Sequence, residues 1–357
     1  MSEIEKERTP RFEVNLKKLM KNFINFQDSF SKNGLNCTIA YAVKANYDYQ
    51  IIKSLFSLGS HFELSSPDEI FVLDSLNVPR KNIVVNGCFS NHDFINGCIK
   101  SGCLFFLDAM SQIEYLEDGV EIGIRVNYDC YKKDNSRYYV KSSRFGIPIE
   151  NFRECLEKLA KKKIQVRALN MHTSGNDRSP STYNLAISIV NELKQTFQLN
   201  FLKQIDLGGG YKIDERFWSV DDYSNEIKKT LQAYGLEKYE ILVEPGNSIV
   251  RTCCSYITKI IAEKNRDGKR ILIADGSCLH LGIPNPYKTK KMELPFNTKS
   301  NQLIVGSSCK ESDVFENEIK ENELHVGDVL IYENVGAYTM DNNSGYIIPK
   351  ALVNYIV

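Results

Sequence analysis

The stretch Thr38-Ile39-Ala40-Tyr41-Ala42-Val43-Lys44-Ala45-Asn46 joins a β-type run to a lysine set among apolar neighbours. A period of two places Ala40, Ala42 and Lys44 on one face and Ile39, Tyr41 and Val43 on the other. If the second set packs under helices, Lys44 points inward at the C-terminal end of its strand. An amine in apolar surroundings gives up its proton more readily, which suits it to condense with a carbonyl. A lone strand-end lysine is by default a surface residue, so the surrounding chain has to decide.

Working outward, eight short β-type runs alternate with helix-type segments: 38–43, 61–64, 82–86, 104–107, 121–126, 165–172, 204–207 and 240–243. Ser66-Pro67-Asp68-Glu69 offers an N-cap, a proline at the first helical position and a glutamate two residues on. Ile187, Val190, Leu193 and Phe197 recur at helical spacing. Strands alternating with helices imply a parallel sheet, and eight repeats over about two hundred residues suit a TIM-like (β/α)8 barrel. An open doubly wound sheet also fits the alternation. Beyond residue 250 the texture becomes β-rich: 254–261, 270–273, 302–305, 328–332 and 351–356 read as strands, with a turn at Asp267-Gly268. The expected division is a barrel over 14–249 and a C-terminal β-rich domain over 250–357 that also takes in residues 1–13.

Composition narrows the function. Lys+Arg and Asp+Glu both number 45, so no net field draws nucleic acid or an anionic membrane. No apolar stretch is long enough to cross a bilayer. The start, Met1-Ser2-Glu3-Ile4-Glu5-Lys6, lacks the apolar core of a secretory signal. The ten cysteines are scattered without a CxxC pair and the five histidines are dispersed, so free thiols, no metal centre and a cytoplasmic location are expected.

Several further segments carry chemistry. Asp206-Leu207-Gly208-Gly209-Gly210 follows an apolar run, and three glycines let backbone N–H groups approach a phosphate, although glycine clusters also make plain turns. Gly208-x-Gly210-x-x-Ile213 lacks the third glycine of a dinucleotide fingerprint. Glu244-Pro245-Gly246 ends the last barrel run, where a carboxylate could hold a pyridine nitrogen protonated or simply face solvent.

Tyr41-Ala42-Val43-Lys44-Ala45-Asn46 closely resembles the cofactor-lysine motif of the fold-type III pyridoxal-5′-phosphate (PLP) enzymes, the group of ornithine and diaminopimelate decarboxylases and alanine racemase. Later matches follow in the family's order through almost the whole chain. The resemblance implies that Lys44 binds PLP as a Schiff base, that Gly208, Gly209, Gly210 and Gly246 hold its phosphate, and that Glu244 faces its ring nitrogen. His172, in Asn170-Met171-His172-Thr173-Ser174-Gly175, would stack on the ring, with Ser174 as the hydroxyl contact in place of the family's His-x-Gly-Ser order. Arg125 and Glu63 match positions near the ring, though each could be an ordinary ion-pair member. The residue after Gly246 is Asn247 where the family usually has arginine. Ser143-Arg144-Phe145-Gly146-Ile147 resembles a family string of structural role.

Gly306-Ser307-Ser308-Cys309-Lys310-Glu311-Ser312-Asp313 resembles the decarboxylases' cysteine segment. It implies that Cys309 is the proton donor, with Lys310, Glu311 and Asp313 at the substrate. Tyr338, in Gly336-Ala337-Tyr338, matches a tyrosine that touches phosphate or substrate. In the family the lysine and cysteine of one site come from different subunits, which implies a head-to-tail homodimer. Lys310 stands where decarboxylases that bind a distal ammonium commonly have an acid, so plain lysine and ornithine are expected to be poor substrates. A carboxy-aminopropyl group on a phosphate, a polyamine precursor or a siderophore intermediate are the candidate classes. The alternatives are an amino-acid racemase on the same fold, for which the catalytic tyrosine has no clear match, and a non-catalytic PLP-binding protein.

Overall fold

The computed structural model describes residues 8–128, 143–172, 178–213, 218–282, 302–319, 323–342 and 347–357. The chain divides into two compact units, Asn22–Ser248 and Met1–Lys21 with Ile249–Val357, so the division falls inside the first helix. That helix, α1 (Leu16–Lys32), follows the first strand, β1 (Arg11–Asn15).

The larger unit is a closed barrel. Its strands and helices alternate as β2 (Cys37–Ala42), α2 (Tyr49–Ser57), β3 (His61–Leu64), α3 (Ile70–Ser75), β4 (Ile83–Asn86), α4 (His92–Lys100), β5 (Leu104–Leu107) and β6 (Glu121–Asn127). They continue as β7 (Ile147–Pro148), α5 (Phe152–Lys161), β8 (Gln165–Asn170), α6 (Thr182–Phe197), β9 (Gln204–Asp206), α7 (Val220–Tyr234), β10 (Glu240–Val243) and the short α8 (Asn247–Val250). Eight strands pair in parallel in the order β5-β4-β3-β2-β10-β9-β8-β6, and β5 also pairs with β6, so the sheet has no free edge; β7 is a short addition to β6.

The local causes are visible. Every residue of β4 and β5 is buried, as expected of strands covered on both faces. Ala40, Val84, Leu104, Phe106, Ala168 and Leu242, contributed by five of the strands, form one buried cluster. This places Ala40 on the inward face, as the alternation predicts. The Glu69 carboxylate accepts the Ser65 and Ser66 N–H groups at 2.6 and 3.3 Å, so the Ser66-Pro67 signal opens a helical turn into α3.

The smaller unit contains β1 and β11 (Cys254–Arg266), β12 (Lys269–Ala274), β13 (Gln302–Val305), β14 (Val314–Ile319), β15 (Val329–Glu333) and β16 (Leu352–Ile356). Its sheet runs β14-β13-β12-β11-β1-β16, with β15 paired to β11. Asp267 and Gly268, at φ 51° and 75°, close the β11–β12 hairpin, because a two-residue turn of this kind needs positive φ at both positions. β14 is absent from the strands read in the sequence. Among the described residues no helix is long and apolar enough to cross a membrane.

Candidate active site

Lys44 is not the last residue of its strand. β2 stops at Ala42, and Val43–Ala45 form a 3-10 turn closed by the Asn46 N–H on the Val43 carbonyl at 3.1 Å. The Tyr41 hydroxyl braces the turn by donating to the Asn46 carbonyl at 3.0 Å. The turn therefore sets the direction of the lysine, in place of the pleat. Lys44 Nζ donates to Glu63 Oε2 at 2.5 Å and to Ser65 Oγ at 2.8 Å, and Ser65 donates onward to Glu63 Oε1 at 3.0 Å. Glu63 is buried while the lysine side chain is 39% exposed, so a buried carboxylate anchors the amine.

Glu244, just past β10, lies in a second buried group. Asn86 and Asn170 each donate to Glu244 Oε1 at 3.3 Å, and Asn170 also donates to Asp206 Oδ2 at 2.6 Å. Burial, then the neighbouring Asp206 and Glu63 charges, pushes the Glu244 carboxyl well above the usual carboxylate range. Burial likewise pushes Asp206 up to about 6. Among the described residues neither carboxylate has a lysine or arginine within ion-pair distance, and His172 Nδ1 lies 4.0 Å from Glu244 Oε2. Asn86 Oδ1 is buried without a partner. Two buried acids short of positive charge, with a spare acceptor beside them, suit a cationic N–H group such as a protonated pyridine nitrogen.

The glycine stretch closes around this pair. Gly208, at φ 69°, donates its N–H to Asp206 Oδ1 at 2.8 Å, and its carbonyl accepts the Glu244 N–H at 2.8 Å. Gly209 N–H donates to His172 Nδ1 at 2.9 Å, which leaves the imidazole proton on Nε2. A Cβ on Gly246 would lie 2.8 Å from the Ala45 Cβ, so only glycine lets this turn pack against the lysine turn. The N–H groups of Gly210 and Gly246 donate to no acceptor among the described residues. This cradle and the charge deficit at Glu244 are what a phosphorylated pyridine aldehyde needs at its two ends. Ser174 lies outside the described residues.

Arg125 is buried in β6, with Nη1 3.7 Å from Asp108 Oδ1 and its guanidinium 4.7 Å from the centre of the Phe145 ring. Asp108 also accepts the Gly146 N–H at 2.8 Å. The segment expected to be structural, Ser143–Ile147, thus clamps this arginine, and Arg125 Nε is left buried without a partner.

In the β-rich unit Cys309, Lys310 and Glu311 are exposed on a turn between β13 and β14. Asp313 is 2% exposed and accepts the Cys278 N–H on Oδ1 at 2.9 Å, and the Ser277 hydroxyl and Ser308 N–H on Oδ2 at 2.7 and 3.0 Å. Its carboxylate is occupied in holding the backbone just before Cys309. Tyr338 is 38% exposed and adopts φ 60°, a left-handed conformation that bulky residues rarely hold outside functional loops.

Sequence reasoning missed Ser65, Asn86, Asp108, Asn170 and Asp206 as site members. A usable signal existed for most of them: Asn86, Asn170 and Asp206 end apolar barrel strands and Asp108 follows one, and active sites of such barrels sit at that end.

A family model described as "Pyridoxal-dependent decarboxylase, pyridoxal binding domain" matches residues 16–251, well over half of the chain. The chain belongs to the pyridoxal-dependent decarboxylases. It is 26% identical to the diaminopimelate decarboxylase of Aquifex aeolicus, over 96% of this chain and 86% of that protein. It is 27% identical to antizyme inhibitor 2 of Xenopus laevis, over 86% and 72% of the two chains. The crystal structure of Helicobacter pylori diaminopimelate decarboxylase complexed with L-lysine shares the fold, with a TM-score of 0.87 at 24% identity over 99% of this chain and 93% of that one. The cofactor is pyridoxal 5′-phosphate and the chemistry that of a PLP-dependent carboxy-lyase acting on an amino acid.

Proposed function

We propose that the substrate is an amino acid whose side chain ends in an anionic group, and that Cys309 supplies the proton which replaces the departing carboxylate. The observation that carries the substrate reading is Lys310, exposed directly after Cys309 on a turn that Asp313 fixes from beneath. A cation there attracts a carboxylate or phosphate tail and repels the free ammonium of lysine or ornithine. The curated relatives named as diaminopimelate decarboxylases fit this reading. Diaminopimelate carries a carboxylate at both ends, so its distal end is not a bare ammonium.

When bound, PLP withdraws electrons through its ring and stabilises the charge left as carbon dioxide departs. Lys44 would hold it through Nζ, with Glu63 and Ser65 fixing where that nitrogen sits. Glu244 would face the ring nitrogen, and its burial favours keeping a proton between the two. His172 would cover one ring face, held in orientation by the Gly209 N–H. The N–H groups of the glycine stretch and Gly246 would take the phosphate. Cys309 Sγ then gives its proton to the carbon that lost the carboxylate. We further infer that the complete site needs two copies of the chain, arranged head to tail, a reading the family resemblance supports.

Carbon dioxide release should be measured from meso-diaminopimelate, from an amino acid with a distal phosphonate, and from lysine and ornithine. A preference of about tenfold or more for the substrates that carry a distal carboxylate or phosphonate is expected in kcat/KM, the scale of one well-placed charge. Comparable turnover of ornithine and the anionic substrates would overturn the reading. Lys310→Glu should reverse the preference.

A further inference from the structure

A phosphate dianion bound only by glycine N–H groups lacks a full positive charge opposite it, and the turn that follows Glu244 places the uncharged Asn247 next to Gly246. A cation does stand at the other end of the glycine stretch. Arg178 stands just before α6, half-buried, with its guanidinium against the Cα of Gly210: a Cβ built on Gly210 would collide with Arg178 Nη1 and lie 3.5 Å from Cζ. Gly210 has φ 103°, and its N–H is one of the two left without an acceptor among the described residues. Arg178 forms no ion pair with a carboxylate among those residues. A small recess lies between them, with walls that include Tyr128, Arg178, Tyr183, Leu207, Gly209 and Gly210.

The placement is built into the backbone. The Tyr223 hydroxyl donates to the Arg178 carbonyl and accepts the Lys212 N–H at 3.0 Å, so a single buried tyrosine ties the arginine segment to the chain leaving the glycine stretch. The Tyr183 hydroxyl donates to the Gly209 carbonyl at 3.0 Å. Tyr211 stacks on Tyr183 with ring centres 5.1 Å apart and meets Tyr223 edge-on at 5.2 Å. A three-tyrosine plate therefore holds the glycines and the guanidinium in register from below.

We propose that Arg178 is the cation that binds the phosphate of the cofactor, acting with the Gly210 N–H, and that Tyr223 is the positioning residue that sets it there. This rests on the cofactor site described above and adds to it the charge that position 247 lacks. A guanidinium offers a planar pair of donors to two phosphate oxygens, which a glycine turn cannot.

The test is titration of cofactor-free protein with PLP and, separately, with pyridoxal, which lacks the phosphate. Binding is followed by the visible band of lysine-bound cofactor, and the 31P resonance of bound PLP is recorded. Arg178→Met should weaken PLP binding on the order of ten- to a hundredfold, move the 31P resonance and leave pyridoxal binding unchanged. Arg178→Lys should keep the charge without the paired donors and weaken PLP less than Arg178→Met. Tyr223→Phe should weaken PLP by several-fold, again without effect on pyridoxal. Unchanged PLP affinity in Arg178→Met overturns the proposal, as does equal weakening of PLP and pyridoxal, which marks a purely structural role. A wild-type protein that forms no visible band with either compound instead refutes the cofactor site itself.

Discussion

Asp206 in the barrel and Asp313 in the β-rich unit are both buried aspartates at the ends of functional segments, yet they titrate in opposite directions. Burial raises both. At Asp313 the hydrogen bonds from Ser308, Ser277 and Cys278 outweigh burial and hold the carboxyl below the usual range. At Asp206 burial wins over bonds from Glu244, Asn170 and Gly208, and the group moves up to about 6. One aspartate is satisfied by donors from two loops of its unit; the other sits beside a second acid, with no lysine or arginine at ion-pair distance among the described residues. The contrast is between a carboxylate already held by fixed donors and one whose burial its hydrogen bonds do not offset.

The largest effects are expected at Lys44 in the barrel and Cys309 in the β-rich unit. Lys44→Ala should abolish the visible cofactor band and lower turnover by three orders of magnitude or more. Cys309→Ala should keep the band and lower kcat by about a hundredfold, the usual worth of a positioned acid. If sites are shared between subunits, mixing the two inactive variants should restore about a quarter of wild-type activity, because half of the dimers are mixed and each has one intact site. No recovery on mixing would place lysine and cysteine of one site in the same chain.

A smaller effect is expected at Asp313. Asp313→Asn turns one acceptor oxygen into a donor among three donors and should destabilise the fold by about 1–3 kcal/mol. It should lower kcat while leaving PLP affinity unchanged, as measured by denaturation, turnover and cofactor titration. A variant with altered cofactor affinity and normal turnover would contradict its role in holding the Cys309 turn.

An effect of similar size is expected in pH dependence, with opposite sign at the two aspartates. The raised Asp206 binds its proton more tightly when folded, so its contribution is present at low pH and is lost as pH rises from about 4 to 6. The lowered Asp313 contributes above its unfolded pKa of about 4 and loses that contribution as pH falls further. Thermal melts of cofactor-free protein against Asp206→Asn should show the wild type losing relative stability across pH 4–6, by about 1–3 kcal/mol. The difference between wild type and Asp313→Asn should instead grow as pH rises from below 4. Parallel slopes for the two variants would erase the distinction.

Much of the barrel was legible because its strands announce themselves locally. Ile83-Val84-Val85 and Leu104-Phe105-Phe106-Leu107 are apolar throughout, and both are buried strands at the expected places. Lys44, the glycine stretch and Glu244 were legible as motifs of adjacent residues. The end of β2 was not, because the turn over Val43–Ala45 depends on the Tyr41 hydroxyl reaching Asn46. The role of Asp313 was hidden too, since its partners Ser277 and Cys278 lie more than thirty residues away.

The sequence by itself determined the succession of strands and helices and the glycine turn, because period, capping and backbone freedom are properties of neighbouring residues, and it marked Lys44 as the candidate cofactor lysine through its family resemblance. Only the tertiary structure decided that the sheet closes, through the pairing of Thr38 in β2 with Leu242 in β10, where the alternation alone also fits an open sheet. It also brought Asn86, Asn170, Asp206 and Glu244 onto one another, and stood Arg178 against Gly210. Closing the ring carries separate strand ends to a single rim, and the charge balance of the site exists only there.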